Sequence, residues 1–148
     1  MGYSREFVKE SRKLRYDTLD AETVTRAKKC IIHQLACTSP TSVEKWSRAA
    51  QSLVRDTGRG GEATVWFSDA MGTPFEATVA NVVAGSSLIQ EDIHREDGIH
   101  PGCMIVPVAL AVGEAYELSG KAVIEAIVQG YQFLCRTGRA VEIGRAHV

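Results

Sequence analysis

The sequence has no C-x-x-C pair, no long apolar run and no block of basic residues. Each absence excludes a class of function. Without C-x-x-C, the four cysteines (Cys30, Cys37, Cys103 and Cys135) do not fit a zinc ribbon, a thioredoxin motif or a ferredoxin cluster. Cys30 and Cys37 stand seven apart on similar faces of an apolar helical stretch. That predicts buried, reduced thiols and a cytoplasmic compartment. No apolar run approaches the roughly 18–20 residues that span a bilayer, so no membrane partner is expected. Net charge is −1, which argues against a nucleic-acid surface. The first residues, MGYSREFVKESRKLR, are charged and lack the apolar stretch of a signal peptide. Gly2 is not followed by the Ser/Thr of a myristoylation signal. There is no G-x-S-x-G elbow. Gly58-Arg59-Gly60-Gly61 has no preceding strand and no following Lys-Ser/Thr, so it reads as a helix-ending turn and not as a phosphate cradle.

What is present describes a helical domain. At 148 residues and 45% apolar content, the chain can bury one ordinary core. Residues 4–15 predict a short helix anchored by Phe7, Val8 and Leu14. Asp20 reads as an N-cap, with Glu22 in the first turn and a Leu19–Val24 staple. Val24, Ala27, Ile31, Leu35 and Thr38 then recur at helical spacing, and Pro40 is expected to stop the helix. His33 in this helix reads as a core histidine. Thr41-Ser42-Val43-Glu44 has the form of a capping box that opens the next helix, with Trp46, Ala49, Ala50, Leu53 and Val54 as its apolar stripe. Residues 63–67 predict one short strand without an obvious partner, an edge piece or hairpin arm. Thr73-Pro74 opens a helix with Ala77, Ala80, Val83, Ala84 and Leu88 inward. Segment 103–117 is apolar all round and is expected to be buried. Ser119 caps a last helix whose core face is Val123, Ile124, Ile127, Val128, Tyr131 and Leu134. The fold class is mainly α: about six helices and one short strand or hairpin arm.

Residues 142–148, Glu-Ile-Gly-Arg-Ala-His-Val, back-translate as GAG ATC GGA AGA GCA CAC GTC. This resembles the start of a common sequencing-library adapter. The native domain is therefore expected to cover residues 1–141, with 142–148 as translated adapter.

The chemistry concentrates in residues 91–102, EDIHREDGIHPG, which join two buried helices. Four carboxylates and two histidines lie there. His94 and His100 are six apart, so one helix face does not present both, and no metal site is expected. Asp92 or Glu91 can serve as a base if burial raises its pKa, and His100 can act as acid or base near neutral pH. The alternative is a solvated charged connector in which His-Pro-Gly starts a helix.

An ordered set of segments carries more than composition does. It runs Leu19…Val24…Ala27-Lys28…Ile31…Leu35-Ala36, then Gly60-Gly61-Glu62-Ala63-Thr64-Val65, then Ala77…Ala80-Asn81. The sharpest stretch is His100-Pro101-Gly102…Val106-Pro107-Val108-Ala109-Leu110-Ala111, followed by Ser119-Gly120-Lys121 and Gly130-Tyr131…Cys135-Arg136-Thr137-Gly138. From about Tyr16 to Val141 the chain resembles the N-terminal helical domain of the MmgE/PrpD family, which includes 2-methylcitrate dehydratase, cis-aconitate decarboxylase and an iminodisuccinate epimerase. The resemblance implies cofactor-free lyase or isomerase chemistry on small di- and tricarboxylates in a homodimer. His100 matches the family's functional His-Pro histidine, and Asp92 and His94 match by position, so these three are the expected catalytic residues. In the dehydratase and decarboxylase branches the preceding loop reads much like D-F-D-D-T-H. Here the first Asp and the Thr are replaced by Ile89 and Ile93, which neither accept a proton nor donate a hydrogen bond. Other catalytic positions of the family lie beyond this chain, which is therefore expected to be inactive alone. An epimerase, a decarboxylase and a non-catalytic helical interaction domain are the alternatives.

Overall fold

The computed structural model describes residues 3–57, 60–96 and 98–141. The stretch read as adapter, 142–148, lies outside them. Six α-helices carry the described fold: α1 (Tyr3–Ser11), α2 (Ala21–Thr41), α3 (Lys45–Thr57), α4 (Pro74–Gly85), α5 (Pro101–Ala115) and α6 (Gly120–Val141). A 3-10 turn at Tyr16–Thr18 precedes α2. Two short strands, β1 (Ala63–Thr64) and β2 (Met71–Gly72), pair antiparallel, Ala63 opposite Gly72 and Thr64 opposite Met71. β1 thus has a partner, supplied by the chain just before α4. Among the described residues no helix is long and apolar enough to cross a membrane.

Local rules set several boundaries. Asp20 caps α2 by accepting a hydrogen bond from the Thr23 amide at 2.6 Å. Thr73 and Glu76 form a reciprocal capping box at α4, with Pro74 at the first position. The Ser119 hydroxyl oxygen accepts from the Ala122 amide at the start of α6.

Other expectations change. Pro40 does not stop α2, which includes it and ends at Thr41. Proline lacks the N–H that would bond to the carbonyl of residue 36, and the helix ends one residue later. Thr41 forms no cap for α3; it ends α2, and its hydroxyl donates to Ala84 O at 2.6 Å, tying α2 to α4. The inward face of α3 is Ser47, Gln51 and Val54, with Ala50 partly buried. Trp46 and Leu53 are exposed, because this face has no helix against it among the described residues. Leu88 is exposed because α4 has already ended at Gly85. His33 is exposed on α2, and the fully buried neighbour is Gln34. Cys37 is buried as a free thiol, whereas Cys30 is only half-buried.

The centre of the molecule is α5. It packs against α4, α6, α2 and β1. Ala111 joins the core built by Val54, Ala63, Val65, Ala77 and Ala80. Ala109 joins the second core, of Ala27, Val123, Ile124 and Ile127. A helix placed between two cores must be apolar on both sides, which accounts for most of its composition. Met104 and Val108, one turn apart, form an exposed strip that departs from the expected full burial. Buried Asn81 pins the hairpin: its Oδ1 accepts from the Trp66 amide at 2.8 Å and its Nδ2 donates to Thr64 O at 3.0 Å.

Candidate active site

The loop from α4 to α5 is held at both ends and in the middle. The His94 amide donates to Ile99 O at 2.8 Å and the Gly98 amide to His94 O at 2.9 Å, closing a tight turn. Gly98 has φ +67°, a conformation that suits glycine. Cys37 of α2 holds the loop's start, its thiol donating to Gln90 O at 3.4 Å. Cys103 of α5 holds its end, donating to His100 O at 3.2 Å.

Asp92 is clamped between two helices. Its Oδ1 accepts from the Gly102 amide of α5 at 2.8 Å. Its Oδ2 accepts from the Tyr131 hydroxyl of α6 at 2.8 Å. Pro101 occupies the first turn and has no N–H, so the Gly102 amide is one of the unpaired donors at that helix end. A carboxylate there suits the helix dipole. A side chain at Gly102 would collide with this arrangement, because its Cβ would lie 2.3 Å from Asp92 Oδ1 and 2.9 Å from the Tyr131 oxygen.

Glu91 and His100 form a second pair. Glu91 is buried, and its Oε1 lies 3.7 Å from His100 Nδ1. Its Oε2 is buried without a hydrogen-bond partner. The charges of Glu91 and Asp92 act on the nearby thiols. Burial first, and then these two carboxylates, raise Cys103 to about 11 and push Cys37 upward. Burial, together with hydrogen bonds involving Cys30 and Asp92, pushes the Tyr131 hydroxyl far above its ordinary range. Tyr131 therefore remains a proton donor to Asp92 at neutral pH.

His94 faces elsewhere. It lines a cavity of about 490 Å³ between α2 and α6, together with Tyr131, Cys30, Arg26, Arg136 and Arg139. Arg26 also pairs with Glu22, and Arg139 with Glu96 of the loop. The structure thus separates the three expected residues. Asp92 touches Tyr131, which lines the cavity; His94 lines it directly; His100 is paired with Glu91 and is not among the lining residues. Sequence reading placed Tyr131 only in the core and missed the arginines. The available signal was the α6 face Tyr131, Gln132, Cys135, Arg136 and Arg139, which keeps helical spacing past the last aliphatic residues. Among the described residues, no group of three or more His, Cys, Asp or Glu is arranged to hold a metal ion.

A profile of the MmgE/PrpD N-terminal domain matches residues 5–148. The chain belongs to the MmgE/PrpD family. No curated protein matches it significantly. The clamp on Asp92 joins Gly102 of the His100-Pro101-Gly102 segment to Tyr131 of the Gly130-Tyr131 pair.

Proposed function

We propose that this chain is the N-terminal part of a cofactor-independent lyase, a hydro-lyase of the 2-methylcitrate dehydratase kind, acting on small di- or tricarboxylic acids. Family membership supports the reaction class. The observation that carries the substrate class is the cavity in which His94 and Tyr131 stand beside three arginines. Its size suits a small molecule, and guanidinium forks suit carboxylates. In this reading His94 and the arginines hold the substrate carboxylates. His100, the match to the family's His-Pro histidine, lies outside the lining of that cavity and moves the proton on the part of the substrate that reaches past it, taking it from carbon or giving one to the departing hydroxyl. Asp92, whose two oxygens accept from the Gly102 amide and the Tyr131 hydroxyl, holds the loop against α5 and α6 in this reading. A cytoplasmic homodimer in the full-length form belongs to the same proposal. So does the reading of residues 142–148 as adapter, which sequencing the source gene checks.

A second reading, an epimerase or decarboxylase of the same family, is favoured by one observation. Ile89 and Ile93 stand where the dehydratase branch carries an Asp and a Thr, and both are exposed. The deciding experiment assays the purified full-length protein with methylcitrate, cis-aconitate and iminodisuccinate, beside the 148-residue chain. Water elimination from methylcitrate by the full-length protein, and no turnover by the chain alone, is the expected result. Full-rate turnover by the chain, or no turnover of any of the acids by the full-length protein, overturns the proposal.

A further inference from the structure

Glu91 is a carboxylate with more than nine-tenths of its side chain out of solvent. Burying such a group is costly unless something nearby compensates it. The neighbouring thiols do not. Cys37 and Cys103 are held protonated, by burial and by the negative charges beside them, and carry no positive charge. Asp92 adds a like charge and has its own partners. Among the described residues, the group paired with Glu91 that can become a cation is His100, whose Nδ1 lies 3.7 Å from Glu91 Oε1 and is itself buried without a hydrogen-bond partner. These two complementary atoms stand slightly beyond bonding distance. Catalytic hydrogen bonds in ligand-free enzymes are often long and tighten when the site fills.

We propose that Glu91 is the positioning residue of His100: it accepts a hydrogen bond from Nδ1–H, so that Nε2 carries the lone pair that meets the substrate. The inference rests on His100 being the proton-transfer group in the function proposed above. In the step itself, the proton on the carbon beside a substrate carboxylate passes to Nε2, and the electron pair of the C–H bond stays on the substrate. The imidazolium so formed is stabilised by Glu91, which keeps its negative charge and takes no proton. This is the logic by which a carboxylate orients a catalytic histidine in hydrolytic triads. The backbone that carries the two side chains is tied down, because Cys103 holds the His100 carbonyl and Cys37 holds the Gln90 carbonyl next to Glu91.

The test reads the tautomer of His100 in the 148-residue chain by long-range nitrogen–proton NMR of the imidazole ring, without any substrate. The expected result is the Nδ1–H tautomer in the wild type and a shift toward Nε2–H in Glu91→Met, with the His94→Gln variant leaving the His100 signals unchanged. An Nε2–H tautomer in the wild type, or an Nδ1–H population that Glu91→Met leaves untouched, overturns the proposal. If Glu91→Met loses its dispersed amide spectrum, the wild-type tautomer decides alone. In the full-length enzyme, Glu91→Met is expected to lower kcat about a hundredfold or more with little change in KM. Because the tautomer is read without turnover, a wrong choice of reaction leaves the NMR result standing, and a wrong role for Glu91 leaves the reaction standing.

Discussion

Asp92 shows how a charged loop residue becomes part of a scaffold. One oxygen closes the start of α5, the other receives the Tyr131 hydroxyl, and the loop cannot swing without breaking both. Replacing Tyr131 by Phe removes one charge-assisted bond from a half-buried carboxylate. The expected loss is about 1–3 kcal/mol, read as a lower urea midpoint with an unchanged slope. Cys103 makes a second prediction at this scale. Its folded form holds the proton more tightly than the unfolded chain, raising the thiol from 9.0 to about 11. Below about 9 both forms are protonated and the group contributes no pH dependence; as pH rises from there through about 11, the unfolded state alone ionises and stability falls. Urea titrations across that window are expected to show the decline, and Cys103→Ala to make it shallower, the raised Cys37 and Tyr131 supplying the rest.

At the scale of elements, α5 and α6 approach closely because small residues let them. A methyl group at Gly130 would lie 2.6 Å from Ile105 Cγ2, and one at Gly113 would lie 2.6 Å from Val123 Cγ2. Gly130→Ala gains helix propensity but forces Ile105 to move, and the overpacking is expected to win, at a net cost of about 1 kcal/mol. Thermal unfolding of the two proteins side by side checks the sign. What was legible in the sequence follows from how local each rule is. The caps at Asp20, Thr73 and Ser119 depend on residues three positions apart, and they read correctly. The partner of β1 and the inward face of α3 depend on what packs there from elsewhere, and periodicity does not carry that information. Pro40 stands one residue from the end of α2, so the stop expected at the proline falls just after it. The Tyr131–Asp92 bond spans 39 positions, so Tyr131 read as a core residue while its hydroxyl is part of the clamp on Asp92.

For the whole molecule, the ordered set of family segments was the most informative sequence feature, and the family and the mainly helical class both follow it. The charged loop stood out in the sequence as the candidate site, but not its division into a cavity side and a Glu91–His100 side. The same molecule leaves large apolar residues in water: Phe75 is 77% exposed, Ile32 66% and Leu53 64%. Burying such apolar area between copies of the chain favours association. The chain alone is expected to self-associate as its concentration rises in sedimentation-velocity runs. Leu53→Ser with Phe75→Ser is expected to reduce that association while changing the unfolding midpoint little, since exposed substitutions each shift stability by only about 0.5 kcal/mol.

The clamp on Asp92 also has a consequence in time. The Gly102 amide is the first N–H of α5, since Pro101 has none, and a loop side chain holds it where no helix carbonyl can. Its exchange with deuterium is therefore governed by the opening of the loop, while amides near Val106 and Ala109 exchange only when the helix itself comes apart. A single hydrogen at the helix start thus keeps a separate clock, running on the motion of the site rather than on the unfolding of the protein.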